Sequence, residues 1–502
     1  MNEYAGRTPD TGIRSRILYG IAEFYGGGAF LIISTFYTVF MIKAMGMPPA
    51  LAGTAPLFGH VWDAITDPIM GNITDRTVSK YGAKRFYIFI GAIASSLTFV
   101  CMWIAVPSSS NVVRFIFYML MYCLFSTGFT ILMVPYNGLL PDMIDDYTMR
   151  AKFSNVRMIF STLGAMVCGI APTVLIADNL DTGAYFRNGV VFGIVFFITS
   201  ILTFLGTWEK KKPPVRTGIA ESFPQAASVF KSKSFRLFIG LYLFGQCGMD
   251  FVSGMAVYYV DDVLNGYDNG YFTYILGALM IFQLIGMFVF GPVMSKSSKR
   301  SVILIGAPIR LLGLLGLLAF SYEGASIVPV LAMSSLIGFG NAASLTGIFA
   351  VMADMADVDE LITSVHRPGI VSGMATFSRK ISSGLSTAAI GLLLAMVGYD
   401  EVAASAGIRQ AAGTQQGIAL IFVFAPALLT LLLLITGMVF PLTGKEFRIV
   451  QKEIARRKGE DASETTEEER RVCEKVTGLS FDRLWDKRNT TLQKREVRSQ
   501  GG

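Results

Sequence analysis

Charged residues are scarce in this chain of 502 residues. Only 16% of its residues are Asp, Glu, Lys or Arg, whereas a soluble protein usually carries about a quarter. So little charge excludes an ordinary soluble two-domain enzyme, and a hydrophobic content of 52% excludes disorder over most of the length. We therefore expect a membrane protein that crosses the bilayer many times as α-helices.

Cysteine is also rare, and no two of the five cysteines form a Cys-x-x-Cys pair. This spacing predicts neither a disulfide framework nor a zinc site. The sequence also lacks a P-loop, a nucleophile elbow and a metalloprotease motif. We therefore expect a protein that is not an enzyme and that has no resident cofactor.

Twelve apolar runs are long enough to cross a bilayer, which needs about 20 residues. The runs lie at residues 17–41, 51–70, 86–106, 115–139, 153–176, 189–207, 237–260, 272–293, 302–320, 328–353, 370–397 and 417–440. The longest internal polar segment, 209–233, separates six runs from six. We expect an all-α membrane protein with twelve transmembrane helices in two six-helix halves, a plan typical of transporters with internal repeats.

The net charge of +7 is explained by the connections between the runs, because basic residues concentrate in alternate connections. The positive-inside rule then places both termini in the cytoplasm, and an even number of spans agrees with that placement. We expect a multi-pass protein of the cell membrane, which in bacteria is the cytoplasmic membrane. Its expected partner is the lipid bilayer, and we expect no binding to nucleic acid. The predicted segments are a cytoplasmic N-terminus at 1–16, halves at 17–207 and 237–442, a cytoplasmic middle loop at 208–236 and a charged cytoplasmic tail at 443–502.

The second run contains two carboxylates, which are costly inside a bilayer and therefore indicate function. Asp63 and Asp67 are four residues apart, so they share one face of a helix, and Thr66 adds a hydroxyl nearby. Such oxygens suit a small metal cation such as sodium, or the pair could share a proton because like charges raise one pKa. His60 could extend a proton relay, although simple packing is the alternative. Asp67 followed by Pro68 could instead be only a kink and a helix end.

Other charged residues interrupt the fifth, seventh and eleventh runs. Arg157 could reach the aspartates of the second run or bind a polar ligand, and Lys380 points to function because it lies mid-helix. Arg379 is about 100° around the helix from Lys380, so we expect it to pair with an acidic residue. Asp250 could be a proton site, a substrate acceptor or the partner of a basic residue. The same roles are open to Glu23.

A basic loop follows the second run. Asp75, Arg76 and Arg85 lie there, either as a gating latch between helices or as charges that only set orientation. A second charged group is expected to end the tenth helix and to form a network with Arg367; it comprises Asp354, Asp357, Asp359 and Glu360.

Several of these segments resemble one family, the glycoside–pentoside–hexuronide:cation symporters of the major facilitator superfamily. The matching segments are 62–71, 134–141, Arg150 with Arg157, 366–370, 379–380 and 398–399. The resemblance extends over about 17–442 and does not include the tail. It implies a major facilitator fold in which Asp63, Thr66 and Asp67 bind the coupling cation.

The resemblance also implies that Arg157 and Lys380 line a central substrate site, to which we add Asn137 and Asp250. Three departures matter. Met133 stands where melibiose-transporting members carry a third aspartate. Asn137 stands where those members carry a sugar-stacking tryptophan. Residues 26–27 are Gly-Gly where those members carry Lys-Asp. A preference for sodium therefore does not carry over, melibiose itself is not expected, and an acidic sugar stays open.

We expect a functional monomer that couples entry of a proton or sodium ion to uptake of a glycoside, pentoside or hexuronide. One alternative keeps this fold and changes the cargo to an amphipathic lipid or another non-sugar solute, which the apolar Met133 would suit. A remote alternative is a membrane sensor or scaffold with the tail as its output.

Overall fold

The computed structural model describes residues 4–108, 110–176, 180–210, 227–265, 270–400 and 409–485. In the N-terminal part, α1 and α2 continue through two π-helical turns, Ile33–Tyr37 and Phe40–Ala44. The helices of this part are α1 Ile13–Gly20, α2 Ala22–Ile32, α3 Pro49–Arg76, α4 Ala83–Cys101, α5 Asn111–Met143, α6 Tyr147–Leu175 and α7 Thr182–Gly206.

The C-terminal part repeats this plan with six more long helices and adds two short helices in the tail. They are α8 Lys233–Tyr258, α9 Tyr271–Lys296, α10 Lys299–Leu317, α11 Ile327–Thr363, α12 Pro368–Met396, α13 Ala412–Val439, α14 Gly444–Lys458 and α15 Glu467–Thr477. A π-helical turn, Tyr259–Val263, extends α8, and short 3₁₀ turns occupy Ser228–Lys231, Leu318–Phe320 and Phe481–Arg483.

Twelve long helical segments thus occupy the described residues, counting α1 and α2 as one, as the hydropathy pattern predicts. Ten of them are long and apolar enough to cross a membrane by length and composition alone. The other two, α3 and α12, are 28 and 29 residues long and carry the charged positions singled out in the sequence. Predicted functional charges thus lower the hydropathy of α3 and α12, whereas Arg157 and Asp250 lie in helices that are apolar enough to cross a membrane.

Helix α3 runs without interruption from Pro49 to Arg76. The alternative in which Asp67 and Pro68 end a helix is therefore wrong. A proline inside a helix removes one backbone hydrogen bond, and the chain tolerates this loss here without leaving the helical conformation.

Helix α11 is also longer than the apolar run predicts, because its acidic residues lie inside the helix and do not end it. Arg150 at the start of α6 compensates two of them, with its Nη1 atom 2.8 Å from Asp357 and 3.6 Å from Asp354. With these charges paired, α11 continues to Thr363, and Ser364 at φ 61° then breaks it. Of the expected network with Arg367, the contact with Asp359 is confirmed, since the guanidinium donates two hydrogen bonds to it, at 2.9 and 2.8 Å.

The chain forms two compact units, which differ from simple sequence halves. Unit 1 comprises Met1–Phe235, Met352–Phe377 and Lys445–Gly502, whereas unit 2 comprises Arg236–Val351 and Ser378–Gly444. The core of unit 1 is rich in aromatic rings, with Trp103 stacked on Tyr185 at 5.9 Å. In the core of unit 2, Tyr259 stacks on Phe422 at 4.2 Å. The five segments predicted from the sequence stay a prediction.

A small β-sheet in unit 1 was not predicted. Strand β1 (Tyr4–Gly6) pairs antiparallel with β2 (Trp208–Lys210), so that Ala5 lies opposite Glu209. Three-residue strands that are about 200 positions apart leave no periodic signal in a sequence. The middle-loop residues 211–226, including Lys211 and Lys212, lie outside the described residues.

The tail, whose role the sequence leaves open, folds onto unit 1. Lys458 Nζ lies 2.5 Å from Glu360, and the backbone N–H of Trp485 donates to the carbonyl of Leu361 at 3.0 Å. Helix α15 begins with a capping box, and its Glu469 binds Arg456 of α14 at 2.7 Å. The hydrogen bond from Arg456 lowers the pKa of Glu469 to about 2, so this contact is retained above about pH 4.5 and lost as the pH falls toward 2.

Replacing Glu469 with Ala is expected to loosen α15 from α14 and to expose Cys473. This thiol is fully buried, and desolvation raises its pKa to about 12. Alkylation of Cys473 at pH 8, followed by mass spectrometry of its peptide, should become several-fold faster. Glu468→Ala removes an exposed neighbouring charge and should leave the rate unchanged. Equal rates in Glu469→Ala and Glu468→Ala would show that the ion pair does not hold α15.

Candidate cation and substrate sites

Asp63 and Asp67 lie in α3, and both side chains are fully buried in unit 1. Asp67 Oδ1 accepts a hydrogen bond from Thr130 Oγ1 of α5 at 2.7 Å. Thr66 is half-buried, and its hydroxyl donates weakly to the Asp63 carbonyl at 3.4 Å. The structure therefore brings a second hydroxyl, that of Thr130, to the predicted pair. The side chain of His60 lies outside the described part of the chain.

The first turns of α12 hold this part of α3 by backbone contact. A Cβ atom added at Gly71 would meet the carbonyl oxygen of Gly369 at 2.5 Å, and one added at Gly373 would meet the Asp67 carbonyl oxygen at 3.0 Å. A larger residue at Gly71 would force the backbones apart, and one at Gly373 would be tight, because two helices can approach this closely only where side chains are small. The packing fixes the turn of α3 that carries Asp67.

Two carboxylates buried one turn apart cannot both stay charged cheaply, because each loses hydration and each repels the other. A bound proton or a small cation removes that cost. Carboxylate and hydroxyl oxygens are the ligands that hard cations prefer, so the residues present fit sodium as well as a proton. The arrangement can therefore bind and release one positive charge.

Arg157 forms a buried polar cluster with Glu23 and Asn137 in unit 1. Its Nε donates to Glu23 Oε2 at 2.7 Å, its Nη2 donates to Asn137 Oδ1, and its guanidinium lies 4.8 Å from the Tyr136 ring centroid. Arg157 and Glu23 are 3% and 6% exposed. The pairing of Glu23 with Arg157 was not predicted, although each is the charged residue that interrupts its own apolar run.

Asp250 and Arg379 form the corresponding pair in unit 2. Two parallel hydrogen bonds of 2.7 Å join the guanidinium of Arg379 in α12 to both carboxylate oxygens of Asp250 in α8. The expectation that Arg379 pairs with an acidic residue is confirmed, and of the roles open to Asp250 this pairing is the one observed. Lys380, the next residue of α12, is half-buried, and its role in substrate binding stays a prediction.

Asp75 joins α3 to the start of α12. Its carboxylate accepts hydrogen bonds from the backbone N–H groups of Gly369 at 3.0 Å and Ile370 at 2.9 Å, and Lys84 Nζ lies 3.6 Å away. These N–H groups have no partner within their own helix, so Asp75 acts as the N-terminal cap of α12. This contact supports the latch interpretation for Asp75 and leaves gating itself as a prediction.

Replacing Asp75 with Ala is expected to lower stability by about 2–4 kcal/mol, because two buried N–H groups lose their acceptor. Thermal unfolding of the purified protein in detergent measures the change. Asp146→Asn is the matched control, since Asp146 caps α6 at the surface through Met149 N and Asn caps as well as Asp does. A melting temperature for Asp75→Ala equal to that of the control would exclude this capping role.

Arg76 and Arg85, the other predicted gating residues, are placed differently. The side chain of Arg76 is half-buried at the end of α3. Arg85 donates to the carbonyls of Tyr81 and Phe204, both at 2.7 Å, and so connects α4 to α7. Glu209 of β2 accepts from the backbone N–H groups of residues 84 and 85, and burial raises the pKa of this carboxyl.

His366 lies among the acidic residues of unit 1. Its Nδ1 is 2.7 Å from Glu360 and its Nε2 is 2.8 Å from Asp142, while Lys84 binds Asp142 at 2.6 Å. Asp357, Glu360 and His366 are close enough to hold a metal ion. Both ring nitrogens already meet carboxylates, however, so the geometry favours an ion-pair network over a metal centre.

Two residues of these sites were not predicted from the sequence. Arg310 in α10 is fully buried and donates from Nη1 to Asn341 Oδ1 at 3.2 Å. It interrupts the ninth apolar run, so the criterion that selected Arg157 should also have selected it. Thr130 gives no such signal, because a threonine in an apolar run is ordinary and only the fold brings it to Asp67.

The comparisons with known proteins agree with this architecture. The family described as "MFS/sugar transport protein" matches residues 18–444 of the chain. The chain belongs to this family. The match extends over the twelve predicted spans and ends where the tail begins, as the resemblance in the sequence implies.

Individual relatives are distant in sequence but similar over most of their length. The isoprimeverose transporter of Lactiplantibacillus pentosus is 25% identical over 400 residues, which are 76% of this chain and 80% of the relative. The inner membrane symporter YicJ of Escherichia coli K12 is 24% identical over 464 residues, 91% and 98% of the two chains.

The crystal structure of the Escherichia coli transporter FucP in its outward conformation has a TM-score of 0.59 at 14% identity, covering 85% of this chain and 98% of that chain. The major facilitator fold is therefore confirmed, and the chain is a multi-pass membrane protein. These relatives are transporters and not enzymes, as expected. The side on which the termini lie stays a prediction.

Proposed function

We propose that this chain is a secondary active transporter that couples entry of a proton or sodium ion to uptake of a glycoside, pentoside or hexuronide. The observation that carries the proposal is the pair of fully buried carboxylates, Asp63 and Asp67, on one face of α3. The family and the relatives named as a sugar transporter and a symporter support it.

In the proposed mechanism, the cation first neutralises the Asp63 and Asp67 site. Neutralisation lowers the cost of the buried charges and permits sugar binding, after which the protein alternates between its two open states. One charge that moves through 100 mV is worth about 2.3 kcal/mol, which suffices for roughly fifty-fold accumulation of a neutral sugar. The membrane potential drives the cation that the aspartates bind, and the sugar accumulates because it moves together with that cation.

A lipid or other amphipathic cargo has weaker support. That alternative relied on Met133, but Met133 is 5% exposed and packs beside Gly26, so it belongs to the interior of unit 1. Arg157 with Asn137 and Lys380 with Asp250 supply polar groups that suit hydroxyl-rich ligands. We also propose that the protein functions as a monomer in the bacterial cytoplasmic membrane.

A thermal-shift screen of the purified protein tests the proposed function. Neutral glycosides, pentosides and uronides are added with and without sodium, at two pH values. We expect one class to stabilise the protein, and to do so more strongly with sodium or at the lower pH, because two ligands that favour one state raise each other's affinity. Stabilisation by a sugar that is independent of both cations would contradict cation coupling.

A further inference from the structure

Ser126 of α5 carries a hydroxyl that is completely buried in unit 1. Its side chain is 0% exposed, and its Oγ atom has no hydrogen-bond partner among the described residues. A serine or threonine inside a helix can donate to the carbonyl four residues earlier, as the neighbouring Thr127 does to the Cys123 carbonyl at 2.8 Å. Ser126 does not make this bond, and a buried hydroxyl without a partner is unfavourable. The hydroxyl is therefore available to a ligand.

Two contacts show that α3 and α5 run parallel and in register. A Cβ atom added at Gly59 would collide with the ring of Tyr122, so this ring lies directly on the α3 backbone. Further along both helices, Thr130 donates to Asp67 at 2.7 Å. Eight residues separate the two contacts on each helix. The turn between the contacts on α3 therefore faces the turn between them on α5.

Asp63 and Ser126 occupy the middle of this stretch. Each lies four residues from both contacts on its own helix, and residues four apart share one face. Asp63 also acts electrostatically on Tyr122 and Cys123. These two residues belong to the turn of α5 that precedes Ser126. The Asp63 carboxylate and the Ser126 hydroxyl therefore meet at the same level of the interface between α3 and α5.

The interface thus contains two pairs of a carboxylate and a hydroxyl, one pair on each of two successive turns. All four side chains are buried, with 0–2% exposure; they are Asp63 with Ser126, and Asp67 with Thr130. A hydroxyl that donates its proton to a carboxylate, as Thr130 does, keeps its two lone pairs for a cation. A proton needs only one oxygen, whereas a hard metal cation needs several oxygens around it at once. A hydroxyl on both turns therefore favours sodium over a proton.

We propose that Ser126 is a further ligand of the coupling cation and that it gives the site a preference for sodium over the proton. The inference rests on the proposed function in taking Asp63 and Asp67 as the cation site. With sodium bound, the buried hydroxyl of Ser126 gains the partner that the helix backbone does not provide. Removing this oxygen weakens sodium binding but leaves both carboxylates able to accept a proton.

Sodium binding to the purified full-length protein in detergent tests this proposal. Thermal unfolding is followed through a titration with sodium chloride at pH 8, with choline chloride added so that the ionic strength stays constant. We expect sodium to stabilise the wild type. In Ser126→Ala, the sodium concentration that gives half of the effect should rise about tenfold, because an oxygen bound to a charged partner contributes about as much as one hydrogen bond to a charged group.

Ser200→Ala is the matched control. Ser200 of α7 is also 0% exposed, and its Oγ atom likewise has no hydrogen-bond partner among the described residues. The control therefore removes an equivalent hydroxyl from a helix other than α3 and α5, and it should leave the sodium response unchanged. A second measurement lowers the pH from 8 to 6 without sodium. Ser126→Ala should keep its response to this change, since protonation requires only the carboxylates.

Three results would overturn the proposal. Sodium could stabilise the wild type no more than choline does, Ser126→Ala could keep the wild-type sodium affinity, or Ser200→Ala could lose as much affinity as Ser126→Ala. None of these results bears on whether a cation is coupled to the sugar, because protons could still drive transport through the two aspartates. Absence of coupling in vesicles would in turn leave a measured sodium site in place, so the two proposals fail separately.

Discussion

Replacing Asp67 with Asn abolishes cation-driven accumulation of the sugar in energised membrane vesicles. Asn has the shape of Asp and can still accept the hydrogen bond from Thr130, so the packing of α3 is preserved while the charge is lost. The accumulation ratio should fall from roughly fifty-fold at 100 mV to about one. Asp63→Asn should have the same effect, because either aspartate alone leaves an incomplete site.

The matched control is Asp181→Asn, which also removes one carboxylate. Asp181 caps α7 at the surface by accepting from Gly183 N at 2.8 Å, and Asn serves equally well at that position. This variant should accumulate sugar like the wild type. If vesicles with Asp67→Asn accumulate sugar at the wild-type ratio, the aspartates are not the coupling site.

Breaking the pair of Glu23 and Arg157 is the second change with a large expected effect, and it acts on stability. Arg157→Gln or Glu23→Gln leaves the opposite charge buried, which costs about 3–5 kcal/mol. The double variant removes both charges and should recover about 1–3 kcal/mol relative to the sum of the single changes. Thermal unfolding in detergent of the wild type, the two single variants and the double variant completes this double-mutant cycle.

Arg187→Gln is the control for this cycle, because Arg187 binds Asp181 at 3.0 Å on the surface, where its side chain is 67% exposed. Exposed pairs contribute little, and we expect no resolved change in melting temperature. Strictly additive effects in the Glu23 and Arg157 cycle would show that the two side chains do not stabilise each other.

The sequence predicts the fold well because the bilayer imposes a simple rule on length and polarity. Each of the twelve apolar runs corresponds to a long helix in the described residues. The rule loses precision where charges are paired, as in α11, which continues beyond its apolar run to Thr363. It also gives no indication that the segments 352–377 and 445–502 join unit 1.

The candidate sites are predicted less completely. Spacing along one helix identifies Asp63 and Asp67, because neighbours four residues apart share a face. Partners on other helices follow no such rule: Thr130 reaches Asp67, and Glu23 reaches Arg157, only through the packing of separate helices. Arg310 is visible as a charge in an apolar run, but its hydrogen bond to Asn341 depends on the packing of α10 against α11.

The most direct test of cation coupling through Asp63 and Asp67 is the cation movement that the sugar itself drives. Purified wild-type protein and Asp67→Asn are reconstituted into vesicles without any ion gradient, and sugar is then added outside. We predict that sugar entering down its gradient carries protons or sodium inward through the wild type, and that Asp67→Asn moves no cation. Sugar entry through the wild type without movement of either cation would contradict the proposed coupling.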